Sequence, residues 1–293
     1  MVKLISNSEI IVLCFGLSKS ILKTGLTHSP RLAVEYSELI YNVQDGVGLI
    51  TLNRPDRLNA WTPNLEIELR SVIENAQQDG AVRCVLITGA GKAFCAGMDM
   101  AVLGSSDRKA FMTDSEDDVL QRYGYLFGFD KPLIAAVNGA AVGVGLCLAL
   151  YCDVRFIASG AKVATPYTRR GLVAEHGLAW LLPRLIGPLH TADLLLSGRT
   201  IEAQEASQMG MALLRPSEGF LDAVMSYAKD LASSCSPRSM RIIKKQLLQA
   251  RYQSFGQATH TADREIALCR GTEDFKEGVK HFLEKRKPNF TGQ

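Results

Sequence analysis

The sequence is short of what several functional classes require. No apolar run approaches the roughly 18 residues of a membrane-crossing helix, so no membrane span is expected. Charge of one sign is also missing: 33 Lys and Arg oppose 30 Asp and Glu, for a net charge of +3. So balanced a surface offers no broad basic face, which excludes a general nucleic-acid binder but leaves a single anionic ligand compatible. Phosphate-loop signatures are incomplete. Before Gly91-Lys92, Leu86 holds the first glycine position of a P-loop, and Ala93 stands where Ser or Thr is needed. Around Gly143-Val144-Gly145 no GxGxxG is completed, and no acid follows about 20 residues on, as a dinucleotide site requires. The seven cysteines are odd in number, and Cys84, Cys147, Cys152 and Cys269 fall in apolar periodic segments. There a free thiol acts as a small hydrophobe. This points to a reducing compartment, the cytoplasm, and against a disulfide framework.

What is present suffices for a large core: 47% of the 293 residues are hydrophobic. Residues 1–33 differ from the rest. An apolar run at 10–17 lies behind Lys3 and is followed by Lys19, Lys23 and Arg31, with Glu9 the one acid. A secretory signal wants a clearer small-residue cleavage site and a transit peptide more arginine. The segment reads as a loosely attached N-terminal extension, with targeting to an organelle matrix as the alternative.

From Val34 the pattern is regular. Segments 39–43 and 47–52 read as strands joined through Asp45-Gly46, a hairpin signal. Thr62-Pro63 opens a helix with Leu65, Leu69, Val72, Ile73 and Ala76 on one stripe. A buried strand at 84–88 leads into a glycine-rich loop at 89–99, and the polar, acidic stretch 104–118 reads as a lid or surface excursion. The organising stretch is 131–153, KPLIAAVNGAAVGVGLCLALYCD: an apolar strand, a glycine turn and an all-apolar helix in succession. Strands at 154–158 and 163–165 follow, then a turn region, then helices at 177–185, 189–196, 203–209, 220–233, 239–251, 256–269 and 273–285. The class is therefore α/β with a helical C-terminal region.

Two glycine turns, 94–99 (FCAGMD) and 143–145 (GVG), each follow a buried strand. Parallel strands would put both at the strands' C-terminal ends, where ligands bind in α/β folds. Residues without Cβ let a ligand approach the backbone, and a helix start offers unpaired N–H groups. Two converging N–H groups make a site for an anion or a developing oxyanion. Strand–helix packing alone also uses such turns.

The segments LITLNRPDRLNAW, VLITGAGKAFCAGMDM, KPLIAAVNGAAVGVGLCLALYCDVRFIA, RRGLVAEHGLAWLLPRLIG, LLLSGRTIEAQEASQMGM and FLEKRKPNF together resemble the enoyl-CoA hydratase/isomerase, or crotonase, family. They occur in the family's order across 34–293. The resemblance implies a spiral of ββα units over 34–225 and a helical region over 226–293 that mediates homotrimers, often paired into hexamers. It implies an acyl-CoA thioester as substrate, with no separate cofactor. The oxyanion donors it implies are the N–H groups of Met98 and Val144. Arg57, Leu58, Ala60 and Ala96 match its CoA-binding loops, with Asp99, Met100 and Tyr167 added as substrate-site positions. Asp99 is expected to fix its turn by accepting from backbone N–H groups.

The catalytic carboxylates depart from the hydratase pattern. The two glutamates of that pattern are replaced by Cys147 and Tyr167. Tyr167 reads as a pocket wall, and Cys147, in an apolar helix with no evident basic partner, as a poor nucleophile. Glu175, in GLVAEHG, looks like the single acid of a branch that isomerises 3-enoyl-CoA to 2-enoyl-CoA. Enclosure by Leu172, Val173, Leu178 and Trp180 is expected to raise its pKa toward neutrality. A cap on the helix starting near Gly177 is the other reading. His176 reads either as a second acid–base group or as a structural residue. Arg169, Arg170 and the tail 280–288 are candidates for CoA phosphates or plain exposed cations. The expected activity is isomerisation. Hydration through Glu175 and a positioned water is the alternative, since RRGL-AEHG-W-LPR also looks like a bacterial group classed as hydratases. A non-catalytic CoA-binding protein is the remoter one.

Overall fold

The computed structural model describes residues 35–104 and 122–293; the expected N-terminal extension and the polar stretch from 105 lie outside the described residues. Strands β1 (Leu39–Gln44) and β2 (Val47–Leu52) form the expected hairpin. Asp45 and Gly46 turn at φ 52° and 80°, the left-handed pair that such a two-residue turn requires. Helix α1 (Pro63–Gln78) begins as its sequence dictates: the Thr62 hydroxyl accepts from Leu65 N at 3.0 Å, and Pro63 takes the first position. Its buried residues are the expected stripe of Leu65, Leu69, Val72, Ile73 and Ala76.

Strands β3 (Cys84–Gly89), β5 (Leu133–Val137), β7 (Val154–Ala158) and β10 (Leu213–Arg215) extend the hairpin into a six-stranded sheet, β1-β2-β3-β5-β7-β10. All pairings after β1–β2 are parallel. Strands β3 and β5 are buried at every position, which is why they read as continuous apolar runs. A second sheet is made of β4 (Ala93–Cys95), β6 (Ala140–Val142), β8 (Lys162–Ala164) and β9 (Thr200–Glu202); β8 is the strand expected at 163–165, one residue earlier, and the other three occupy what the sequence presents as loops. Three-residue strands leave no period to detect, and the glycines beside them read as turns.

The chain steps from sheet to sheet at tight corners. A Cβ added at Gly89 would lie 2.2 Å from Ala93 O, and one at Gly139 would lie 2.0 Å from Lys92 O, so neither corner admits a side chain. Asparagines staple them. Buried Asn59 donates to Ala90 O (2.9 Å) and Ala93 O (2.8 Å) and accepts from Arg54 N (2.9 Å). Asn138 donates to Gly89 O (2.9 Å) and accepts from Gly89 N (3.2 Å). The sequence strand, corner, short strand, helix then recurs as a spiral.

Short helices α2 (Met100–Leu103) and α3 (Tyr125–Gly128) precede α4 (Val144–Tyr151), in which only Tyr151 is not buried. Helix α5 (Leu178–Ser197) is broken at Gly187 (φ 78°, ψ 163°) before Pro188, giving the two helices that the sequence separates. After α6 (Ala203–Gln208), α7 (Phe220–Ser234) packs Phe220, Val224 and Ala228 on the first sheet, and the expected boundary at 225/226 falls within it. Helices α8 (Pro237–Gln249), α9 (Phe255–Cys269) and α10 (Glu273–Glu284) follow, with only Asp274 buried among them. They leave Phe255 (89%), Phe282 (77%) and Leu283 (73%) exposed. Among the described residues no helix is long and apolar enough to cross a membrane.

Truncating Asn59 would remove its bonds to two carbonyls and one N–H, of which Ala93 O keeps only a long contact from Asn138 Nδ2 (3.5 Å). Asn59→Ala is expected to lower the unfolding free energy by about 3 kcal/mol, measured by urea titration. A loss below about 1 kcal/mol would show that water replaces the side chain.

Candidate functional site

The two glycine turns meet through the second sheet, where β4 pairs with β6 in parallel. Gly97 (φ 99°) lies against the other turn: a Cβ there would be 3.1 Å from Val142 O. A Cβ on Gly145 would fall 2.3 Å from Cys95 O and 2.8 Å from Cys95 Sγ, so α4 packs on β4 at backbone distance. Met98 forms a parallel bridge with Trp61, in which Trp61 N donates to Gly97 O (2.8 Å) and Asp99 N to Trp61 O (2.9 Å). In such a bridge the N–H of the central residue, Met98, points to the opposite side. Val144 is the first residue of α4, where an N–H has no acceptor within the helix.

Both residues line a cavity of about 280 Å³ with Gly97, Leu103, Gly143, Tyr167, Arg170, Leu172, Glu175 and His176. Of the expected site residues, the structure brings together Met98, Val144, Tyr167 and Glu175. Among the described residues, Glu175 is the one carboxylate in this lining.

Tyr167 is buried, with its hydroxyl 3.4 Å from Cys147 Sγ. Burial pushes the Cys147 thiol up to about 12 and moves the Tyr167 phenol above its ordinary value. The pair is therefore neutral at physiological pH. Glu175 sits in the loop before α5, with its carbonyl accepting from Leu178 N at 3.1 Å. Its carboxylate does not cap that helix, whose N-cap is Gly177 (φ 69°) with no side-chain hydrogen bond. It lies 3.5 Å from His176 Nε2 instead. The expected apolar enclosure is incomplete: Leu178 is buried, but Val173 is 78% exposed and the Glu175 side chain 38%. A loop that turns left-handed at Gly171 (φ 67°) and His176 (φ 54°) does not keep successive side chains on one face.

The positions expected at CoA loops form a turn beside the cavity and are not part of its lining. One turn of 3-10 helix, Pro55–Arg57, ends in left-handed Leu58 (φ 51°) and Asn59 (φ 55°). Leu58 O accepts from Ala96 N at 3.0 Å, and Ala60 O accepts from Arg54 Nη1 at 2.5 Å. Arg57 and Leu58 are exposed. Asp99 fixes its turn as expected: Oδ1 accepts from Ala101 N (3.1 Å) and Oδ2 from Arg54 (3.1 Å). The Ala101 N–H and the Arg54 guanidinium hold its carboxyl below the usual range. Met100 is 68% exposed at the start of α2 and stays outside the cavity. Arg169 is committed to Ser197 O (2.8 Å), leaving Arg170 to line the cavity. In the tail, Arg286 pairs with Glu277 (2.6 Å) and Glu284 (2.6 Å). Leu103, at the end of four-residue α2, is a lining residue that sequence reasoning missed, because so short a helix shows no periodicity.

A family model described as enoyl-CoA hydratase/isomerase matches residues 42–293. The 1,2-epoxyphenylacetyl-CoA isomerase of Escherichia coli is 33% identical over 271 residues, 87% of this chain and 98% of that protein. The 2,3-dehydroadipyl-CoA hydratase of the same organism is 36% identical over 262 residues, 88% of this chain and 100% of its own length. Among solved structures, an enoyl-CoA hydratase from Bacillus anthracis superposes with a TM-score of 0.77 at 28% identity, covering 88% of this chain and 100% of that one.

Burial also raises the Cys84, Cys95 and Cys152 thiols to about 12, whereas Cys235 and Cys269 are partly exposed. Iodoacetamide at pH 8 followed by peptide mass spectrometry is expected to label Cys235 and Cys269 in the folded protein. Cys84, Cys95, Cys147 and Cys152 should react only after unfolding. Labelling of native Cys147 would reopen its candidacy as a nucleophile.

Proposed function

Because the chain belongs to the enoyl-CoA hydratase/isomerase family and is therefore an acyl-CoA enzyme, we propose that it converts 3-enoyl-CoA to 2-enoyl-CoA with Glu175 as its single acid–base group. The observation that carries this reading is that, among the described residues, Glu175 is the one carboxylate in the cavity lining that also holds Met98 and Val144. The Glu175 carboxylate removes a proton from C2 of the acyl chain. The C–H electron pair enters the conjugated system, and charge collects on the thioester oxygen, which accepts from the N–H groups of Met98 and Val144. Glu175 then returns the proton to C4, the double bond moves to C2–C3, and the carboxylate is regenerated. Loss of one such backbone donor costs on the order of 3 kcal/mol of transition-state stabilisation.

This shuttle is redox-neutral and calls for no cofactor beyond the CoA of the substrate. The turn carrying Arg57, Leu58, Ala60 and Ala96 is the proposed CoA contact, with Asp99 supporting it and Met100 at its exposed edge. Tyr167 closes the acyl pocket. The exposed apolar residues of α8–α10 are the proposed trimer contacts, and the reduced, buried thiols favour a cytoplasmic setting.

Hydration is the second reading, supported by the 36% identical relative whose name is a hydratase. It requires a water activated beside Glu175 alone, because the neutral Cys147–Tyr167 pair supplies no second carboxylate.

The assay that separates them follows 3-enoyl-CoA and 2-enoyl-CoA in oxygen-18 water by mass spectrometry. Conversion of the 3-enoyl substrate without label supports isomerisation, and labelled 3-hydroxyacyl-CoA would replace it with hydration. Glu175→Gln is expected to lower kcat by about 1,000-fold with little change in CoA affinity. A fully active variant would end the assignment of Glu175 as the base.

A further inference from the structure

We propose that His176 is a positioning residue for Glu175, donating from Nε2 to one carboxylate oxygen so that the other faces the substrate carbon. The proposal rests on the reading of Glu175 as the acid–base group. Adjacent side chains on an extended chain point to opposite sides. Here the left-handed backbone at His176 (φ 54°) turns its ring back, so that both residues line one cavity.

Such a conformation is strained for a non-glycine residue and persists only where surroundings enforce it. They do so from two sides. The Tyr151 hydroxyl donates to His176 O at 2.8 Å, and the Tyr123 ring packs edge-on against the imidazole, centroids 4.7 Å apart at 82°. The His176 side chain is only 4% exposed, and among the described residues its buried Nε2 has no hydrogen-bond partner. A buried polar atom left in that state is costly and calls for an explanation. The carboxylate oxygen Glu175 Oε2 lies 3.5 Å away, within ion-pair range but longer than a formed hydrogen bond. Contacts of this kind tighten once substrate fills the site.

With Nε2–H engaged on Oε2, Oε1 is the oxygen that takes the proton from C2 and delivers it to C4. The imidazole proton stays on Nε2 throughout, so His176 holds the base without exchanging a proton.

The test compares His176→Leu, His176→Gln, Glu175→Gln and the double variant Glu175→Gln/His176→Leu, each on 3-enoyl-CoA and 2-enoyl-CoA. His176→Leu is expected to lower kcat by about 30-fold with KM changed less than about twofold, as a misoriented base would. His176→Gln, whose amide keeps a donor near Nε2, should recover most of that loss. The double variant should be no slower than Glu175→Gln alone, because without the carboxylate there is nothing to orient. Wild-type kcat in His176→Leu beside an inactive Glu175→Gln would overturn the positioning role alone. So would a loss that glutamine fails to rescue and that tracks a fall in Tm. Full turnover in Glu175→Gln would overturn the acid–base reading and this proposal with it.

Discussion

Everything at the site depends on two backbone turns lying closer together than side chains allow. Gly97 rests against Val142 O, and Gly145 rests against Cys95 O at a spacing a Cβ would cut to 2.3 Å. That approach brings β4 onto β6 and seats the start of α4 on β4. The corners behind, at Gly89 and Gly139, are equally intolerant of a side chain. The directions of the Met98 and Val144 N–H groups therefore follow from core packing and not from a mobile loop. Donors fixed in advance need no reorganisation as charge develops, which is the condition under which such groups stabilise a transition state most.

The same packing restricts what other chemistry the core can hold. Helix α4 has no polar side chain before Tyr151, and desolvation keeps its Cys147 thiol and the facing Tyr167 phenol protonated. Ionisable chemistry is thus displaced to the loop before α5, where Glu175 keeps a partly solvated carboxylate. The apolar scaffold carrying the proposed oxyanion donors and the separate loop carrying the proposed acid are distinct parts. Relatives named as an isomerase and as a hydratase both align over more than four-fifths of this chain, at 33% and 36% identity, consistent with that separation.

The parts legible in the sequence are those with a period or a long apolar run. The stripe of α1, the apolar strands β3 and β5 and the apolar helix α4 carry such signals, and each forms where its pattern says. Of the second sheet only β8 was legible as a strand; β4, β6 and β9 were not, since they are three residues each, and the pairing of all four joins segments far apart in the chain. Within the site, Glu175 stands out as a carboxylate in a matching motif, whereas its exposure does not. The reach of Val173 into solvent is decided by left-handed turns at Gly171 and His176, and a non-glycine φ of 54° at a histidine leaves no mark in composition or spacing. Arg286 reads as a free cation in a basic tail until Glu277, nine residues earlier, is seen to bind it across the end of α10.

One element relates the two distinct parts. Helix α4 begins at Val144, beside the proposed oxyanion, and ends with its eighth residue, Tyr151, whose hydroxyl holds the carbonyl of His176. Its length of about 12 Å is set by helix geometry. Tyr151 is itself braced by Phe127 and Tyr123, with ring centroids at 4.6 and 6.2 Å. The distance between proposed donor and proposed base is then a property of one buried helix and the aromatic residues at its far end. Loop residues on the rim can vary without altering it, whereas a volume change inside α4 would shift donor and base against one another. A shift of about 1 Å in such an alignment can cost on the order of 100-fold in rate. The apolar character of α4 is therefore as much a requirement of catalytic geometry as of core stability.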